Sequence, residues 1–138
     1  MLDFRIWALL SAVFAGITAI LAKKGIEGVP SNLAVAVRVA VVLTFAVGIA
    51  VVTKQTGWRD LTPRNWLFLA LSGIATGASW LCYFKALQMG PVAKVAPIDK
   101  MSFVIAMVLG VLILHEKVST NTVIGAVLIM VGVAFTLK

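Results

Sequence analysis

Charged side chains are scarce in this sequence. Only 12% of the 138 residues are charged and 62% are hydrophobic, whereas an average soluble domain has about 25% charged and about 45–50% apolar residues. A soluble domain of this size could not hide so much apolar surface from water. The composition therefore excludes an ordinary soluble domain and predicts a single domain over residues 1–138 that lies mostly in lipid.

The residue types that carry catalysis and metal binding are equally scarce. The sequence has one histidine and one cysteine, and the cysteine, Cys82, lies within an apolar run, so no intrachain disulfide can form. It has no glycine-rich phosphate-binding loop and no cluster of metal-ligand residue types. These observations predict neither an enzyme nor a protein that holds a cofactor or a metal ion.

Acidic residues are fewer than basic ones, and the net charge is +7. Such an excess would ordinarily suggest nucleic acid as a partner. Most basic residues, however, stand at the ends of apolar runs, where anionic lipid headgroups would meet them. We therefore expect membrane lipids, and not nucleic acid, as their partners. These residues are Lys23, Lys24, Lys54, Arg59, Arg64, Lys117 and Lys138.

The sequence does contain long apolar runs. A bilayer core about 30 Å thick requires roughly 20 apolar residues in a helix, whose backbone groups are satisfied within the segment. Five segments meet this requirement and predict an all-α integral membrane protein with five transmembrane helices. The second helix is expected to be capped by Ser31 or Asn32 and the fifth by Ser119 or Thr120. The predicted helices cover about residues 4–21, 32–53, 66–89, 91–115 and 120–137.

The fourth of these segments is unusual. Its uninterrupted apolar part, residues 101–114, would extend only about 21 Å, which is too short to cross the bilayer. The preceding residues must therefore also lie in the membrane, and they include Pro97, Asp99 and Lys100. Proline removes a helical hydrogen bond and bends the helix. A broken helix near the midplane is where many transporters bind their substrate.

Asp99 is the only acidic residue in a clearly embedded position. An ionisable group there requires a partner or a water-filled cavity, so Asp99 and Lys100 either line a solute pathway or form a structural ion pair. Neighbours on a helix point about 100° apart, so we do not expect Lys100 to face Asp99 directly. The candidate partners are Lys85, Arg38, or Lys100 of a second subunit.

Arg38 and Lys85 are the other embedded cations of interest. Each could extend its charge to the headgroups or face a cavity, and in the second case the excess of cations would favour an anionic or zwitterionic solute. Trp80 and Tyr83, with Phe84, form an aromatic cluster near Lys85. The cluster either packs in the helix core or contacts lipid. Alternatively, Trp80 and Tyr83 form part of a cavity wall.

Two stretches of the sequence resemble a known family. Residues 83–100, which read YFKALQMGPVAKVAPIDK, and residues 112–117, which read LILHEK, are similar to the EamA domain of the drug/metabolite transporter superfamily. Gly125 and Gly132 in the last helix belong to the same pattern, and the resemblance extends over essentially the whole chain. The sequence looks like the type with one five-helix repeat. His115 departs from the pattern, because the family usually has glycine before the glutamate.

The resemblance implies solute transport through a cavity between two five-helix units. Larger members are similar to two such units with inverted topology, so a single unit should pair with an inverted second copy. The charges permit both orientations, because about five basic residues fall on each side of the membrane and the orienting bias is small. With the N-terminus inside, the cytoplasmic side has Arg5, Lys54, Arg59, Arg64 and Lys117, and the other side has Lys23, Lys24, Lys85, Lys94 and Lys138.

The leading interpretation is a secondary transporter for a small metabolite in the cell inner membrane, working as an antiparallel homodimer. Its substrate pathway would involve Asp99, Lys100, Pro97, Lys85, Arg38, Trp80 and Tyr83. The alternative is an accessory or lipid-flippase-type membrane subunit without solute transport of its own.

Overall fold

The computed structural model describes residues 3–137, which fold into helices joined by short loops. Three long helices come first, and the fourth apolar segment forms two shorter helices in succession. The helices are α1 (Phe4–Gly25), α2 (Ser31–Val52), α3 (Pro63–Met89), α4 (Val92–Asp99), α5 (Ser102–Leu114) and α6 (Thr120–Thr136), and a single 3₁₀ turn lies at Trp58–Asp60.

The helices match the predicted all-α membrane protein. Helices α1, α2 and α3 and the combined stretch Val92–Leu114 are each long and apolar enough to cross a bilayer. Helix α6 is also apolar, and its 17 residues extend about 25 Å. The expected five apolar segments are therefore all helical.

Some helix ends differ from the prediction. Helix α1 continues past Lys23 and Lys24 to Gly25, because lysine is a good helix former and its charge is favourable near a helix C-terminus. Ser31 is the first residue of α2, and no side chain caps that helix, whose capping position is Pro30. Ser119 caps α6 as predicted, and its hydroxyl accepts a hydrogen bond from the Thr122 amide at 3.2 Å.

The break in the fourth segment lies after Asp99 and not at Pro97. Pro97 is inside α4, and the chain leaves the α-helix at Lys100 and Met101, whose ψ angles are −10° and −18°. At this point the Met101 and Val104 amides bond to carbonyls three residues earlier, those of Ile98 and Met101. The interruption is therefore a short 3₁₀-like turn between two α-helices.

The chain divides into two compact units, one extending to Met89 and one beginning at Gly90. In the first unit, α1 and α2 each pack against α3; in the second, α4 packs against α6. Few side chains are buried, and the most enclosed is Leu87 on α3, which is fully buried. Most large apolar side chains are exposed, as expected where lipid is the solvent.

Two side-chain hydrogen bonds join the end of α1 and the α1–α2 loop to the end of α3. The Lys23 ammonium donates a hydrogen bond to the Leu87 carbonyl, and the Gln88 amide donates one to the Val29 carbonyl at 2.7 Å. The end of α1, the beginning of α2 and the end of α3 therefore lie at the same end of this unit. This end is called the loop end below.

Candidate functional site

Arg38 lies on α2 against the aromatic face of α3. Its guanidinium carbon is 4.4 Å from the centre of the Trp80 ring and 5.4 Å from that of the Phe84 ring. Trp80 and Phe84 are four residues apart and so occupy one face of the helix. Cation–π contacts of this kind stabilise by about 0.5–2 kcal/mol each. They hold the arginine against α3.

The guanidinium of Arg38 lies beside two rings that belong to the last third of α3. Phe84 lies five residues before the last residue of α3 and Trp80 nine residues before it, which places their backbones about 7 Å and about 13 Å from that end. The charge lies closer to the Trp80 ring than to the Phe84 ring, beside residues that are about one to two and a half helical turns from the end of α3.

A groove of about 480 Å³ lies between α1 and α2. Its walls are almost entirely apolar, and Arg38 is the one charged residue in its lining. Phe84 of α3 also lines it, so the arginine and its aromatic partner border the same space. The full lining is Thr18, Leu21, Ala22, Gly25, Val29, Leu33, Ala34, Val37, Arg38 and Phe84.

The other predicted residues of the first unit lie beside this cluster. Tyr83 meets Phe84 edge to face, with ring centres 6.5 Å apart and planes at 64°. Phe84, which was not among the predicted pathway residues, also contacts Arg38. The four-residue spacing from Trp80 was the signal that could have identified it. Lys85 is exposed on α3 and is not in the groove lining.

In the second unit, the structure brings Asp99 and Lys100 together. The Lys100 ammonium lies 3.8 Å from the Asp99 carboxylate, and both side chains are partly exposed. The expectation that these neighbours cannot face each other was wrong, because Lys100 is where the backbone leaves the α-helix. The ion pair therefore forms within one chain and at the break itself.

Pro97 stands two residues before this pair, inside α4. The helix continues through Pro97, and the Lys100 amide bonds to the carbonyls of Ala96 and Pro97 at 3.3 and 3.1 Å. The proline therefore does not end the helix. The predicted residues thus fall into an arginine–aromatic cluster in the first unit and an ion pair at a helix break in the second.

Sequence comparison identifies the kind of protein that carries this arrangement. The model of the EamA-like transporter family matches residues 5–138. The chain belongs to the EamA-like transporter family. It is therefore a multi-pass membrane protein of a transporter family and not an enzyme, in agreement with the prediction.

Two relatives are similar to the chain in sequence. A Sinorhizobium sp. protein described as an uncharacterized transporter in the cobO 3′ region is 46% identical over 133 residues, which cover 94% of this chain and 93% of the relative. The probable 4-amino-4-deoxy-L-arabinose-phosphoundecaprenol flippase subunit ArnE of Enterobacter sp. (strain 638) is 30% identical over 80 residues, 58% of this chain and 75% of the relative. No solved structure matches the chain.

Proposed function

We propose that the chain is a secondary transporter that carries a small anionic or zwitterionic metabolite across the cell inner membrane as an antiparallel homodimer. The observation that carries the proposal is the Asp99–Lys100 ion pair at the break in the fourth apolar segment. Two inverted protomers would rock against each other to expose the solute alternately on the two sides.

The energetic cost of placing charged groups in a membrane supports this role for the ion pair. Ionisable groups in a membrane segment are expensive and occur mainly where they face a cavity or one another. A short 3₁₀ turn within a helix often marks a functional hinge, and broken helices are common at transporter binding sites. An ion pair at such a turn can exchange its internal partner for a charged solute.

The balance of charge supports an anionic or zwitterionic solute. Within the apolar segments, Asp99 is outnumbered by Arg38, Lys85 and Lys100. A negatively charged group on the solute would reduce this excess of positive charge in a medium where charges interact strongly. A purely cationic solute would increase it.

The test is flux in proteoliposomes, with a panel of labelled small organic anions and amino acids as probes. Replacement of Asp99 by Asn or of Lys100 by Met should lower flux of the transported probe at least tenfold, because one charge of the pair is lost, while the variants assemble normally. Lys94→Met and Asp60→Asn are the matched controls, since both side chains are exposed, and they should retain flux.

A flippase subunit without solute transport of its own is the second candidate, supported by the ArnE relative. A subunit of that kind would show no flux of any water-soluble probe in wild-type proteoliposomes. Its Asp99 and Lys100 variants would be altered in assembly or unchanged altogether. That pattern would refute the transporter proposal.

A further inference from the structure

We infer that the groove between α1 and α2 binds a small organic anion with an apolar body, and that Arg38 holds its anionic group. The inference names the solute class of the proposed transporter and so rests on that proposed function. It follows from the lining, the size and the direction of the groove and from the hydrogen-bond donors of Arg38.

The groove has two apolar walls and a single charge. On α1 the lining residues are Thr18, Leu21, Ala22 and Gly25, whose spacing places them on one face of the helix. Leu33, Ala34 and Val37 form the apolar part of the opposite wall on α2, and Arg38 follows directly. Such a site suits a molecule that is apolar along its length and anionic at one place.

The size of the groove suits a small molecule. Its α1 wall extends from Thr18 to Gly25, which is seven residue steps or about 10 Å. Its volume of about 480 Å³ lies within the range of about 300–1,000 Å³ that is typical of small-molecule pockets. A hydrocarbon chain or a small ring fits within that volume.

The direction of the groove argues against a phospholipid of the surrounding leaflet. Gly25 and Val29 lie toward the loop end, whereas Thr18 and Arg38 lie about two helical turns further in. A leaflet lipid keeps its charged head at the surface and its chains inside. The groove has the opposite polarity, so its ligand lies with the anionic group innermost.

The guanidinium of Arg38 keeps donors for that group. Its guanidinium carbon lies over the faces of the Trp80 and Phe84 rings, and a guanidinium has five N–H donors in one plane. Within the described residues of the first unit, no carboxylate pairs with Arg38; the ion pair there is Arg5–Asp3. A carboxylate can therefore take two parallel hydrogen bonds from the same edge.

Equilibrium dialysis on the full chain in zwitterionic lipid nanodiscs tests the inference. The probes are labelled hexanoate and hexanol, which share a chain and differ in charge, and binding to empty nanodiscs is subtracted. We expect the chain to prefer hexanoate by about tenfold or more, the usual effect of hydrogen bonds to a charged group.

Arg38→Gln should abolish the preference, and Arg38→Lys, which keeps the charge, should retain part of it. Equal binding of the two probes by the wild type would overturn the inference.

Matched variants separate the groove from general effects on folding. Arg64→Gln removes another arginine that contacts an aromatic ring, that of Phe68 at 5.8 Å, and should leave the preference intact. Ala34→Leu fills the groove and should weaken hexanoate binding at least tenfold, whereas Ala36→Leu, on the other side of α2, should not. Hexanoate binding that survives Ala34→Leu would also refute the site.

Flux measurements distinguish failure of the site from failure of the proposed function. Arg38-dependent hexanoate binding without flux of any anion would retain the binding site and refute the transporter. Flux of other solutes with no Arg38-dependent binding of hexanoate would refute the site and leave the transporter standing.

Discussion

At the scale of single residues, His115 adopts a backbone conformation that L-amino acids avoid. It ends α5 with φ 55° and ψ 32°, and the amide of the next residue, Glu116, donates to the Gly110 carbonyl. A residue other than glycine loses about 1–2 kcal/mol in this left-handed region. The departure from the glycine that the family usually has at this position therefore carries a cost in stability.

Replacing His115 by Gly should raise the free energy of unfolding by about 1 kcal/mol, because glycine enters this region without steric strain. The measurement is thermal unfolding of the detergent-solubilised protein. His115→Ala is the control, since it removes the imidazole but keeps the strain, and it should not be stabilised. Equal stabilisation of both variants would assign the effect to the imidazole and contradict the backbone explanation.

The sequence identified the charged and aromatic residues but not all of their contacts. Arg38 and Trp80 were predicted as pathway residues, and they do meet. Direct contact of Asp99 with Lys100 of the same chain was not expected, because helical spacing separates neighbours only while the helix is regular. Its interruption at Lys100 depends on backbone torsions that composition does not report.

At the scale of helices, the end of α3 depends on a side chain from α1. The last carbonyls of a helix have no partner within it, and Lys23 supplies one by donating to the Leu87 carbonyl. Gln88 returns a bond to the Val29 carbonyl in the α1–α2 loop. The sequence predicted that Lys23 contacts lipid headgroups. In the structure its ammonium bonds to the Leu87 carbonyl of the protein.

Replacing Lys23 by Met should lower the free energy of unfolding by roughly 1–2 kcal/mol, since a charged hydrogen-bond donor is lost and a carbonyl is left without its partner. Lys24→Met is a close control, because Lys24 is the adjacent residue of the same last turn and is exposed. Unfolding in detergent with increasing denaturant measures both. Equal losses in the two variants would show that charge near the helix end, and not the bond to α3, stabilises this region.

The helices themselves could be predicted more securely than their breaks. Length and apolar content suffice to identify a segment that can cross a bilayer, and all five predicted segments are helical. Pro97 was the natural candidate for the break in the fourth segment. The chain instead tolerates proline within α4 and turns three residues later, so the position of a break requires the tertiary structure.

At the scale of the whole molecule, exposed apolar surface is the dominant feature. Large aliphatic and aromatic side chains are exposed along every long helix, among them Phe14, Phe45 and Ile74. Lipid can cover such a surface, so exposure alone does not indicate where a second copy binds. The basic residues provide a separate constraint, because they determine which way each copy inserts.

The proposed antiparallel homodimer requires that both orientations occur. A reporter that is active only in the cytoplasm and one that is active only outside, each fused after Lys138, should both give signal, because the basic residues are nearly balanced across the membrane.

Adding lysine to the loop between α2 and α3, as in Gln55→Lys, should favour the orientation that keeps this loop inside. The outside reporter should then become dominant, since five spans put the two chain ends on opposite sides, and flux should fall as the inverted partner becomes rare. The same lysine placed at Asn121, near the start of α6 on the same predicted side, should act in the same direction. A single active reporter in the wild-type chain would refute the antiparallel homodimer and favour a parallel assembly or a different partner subunit.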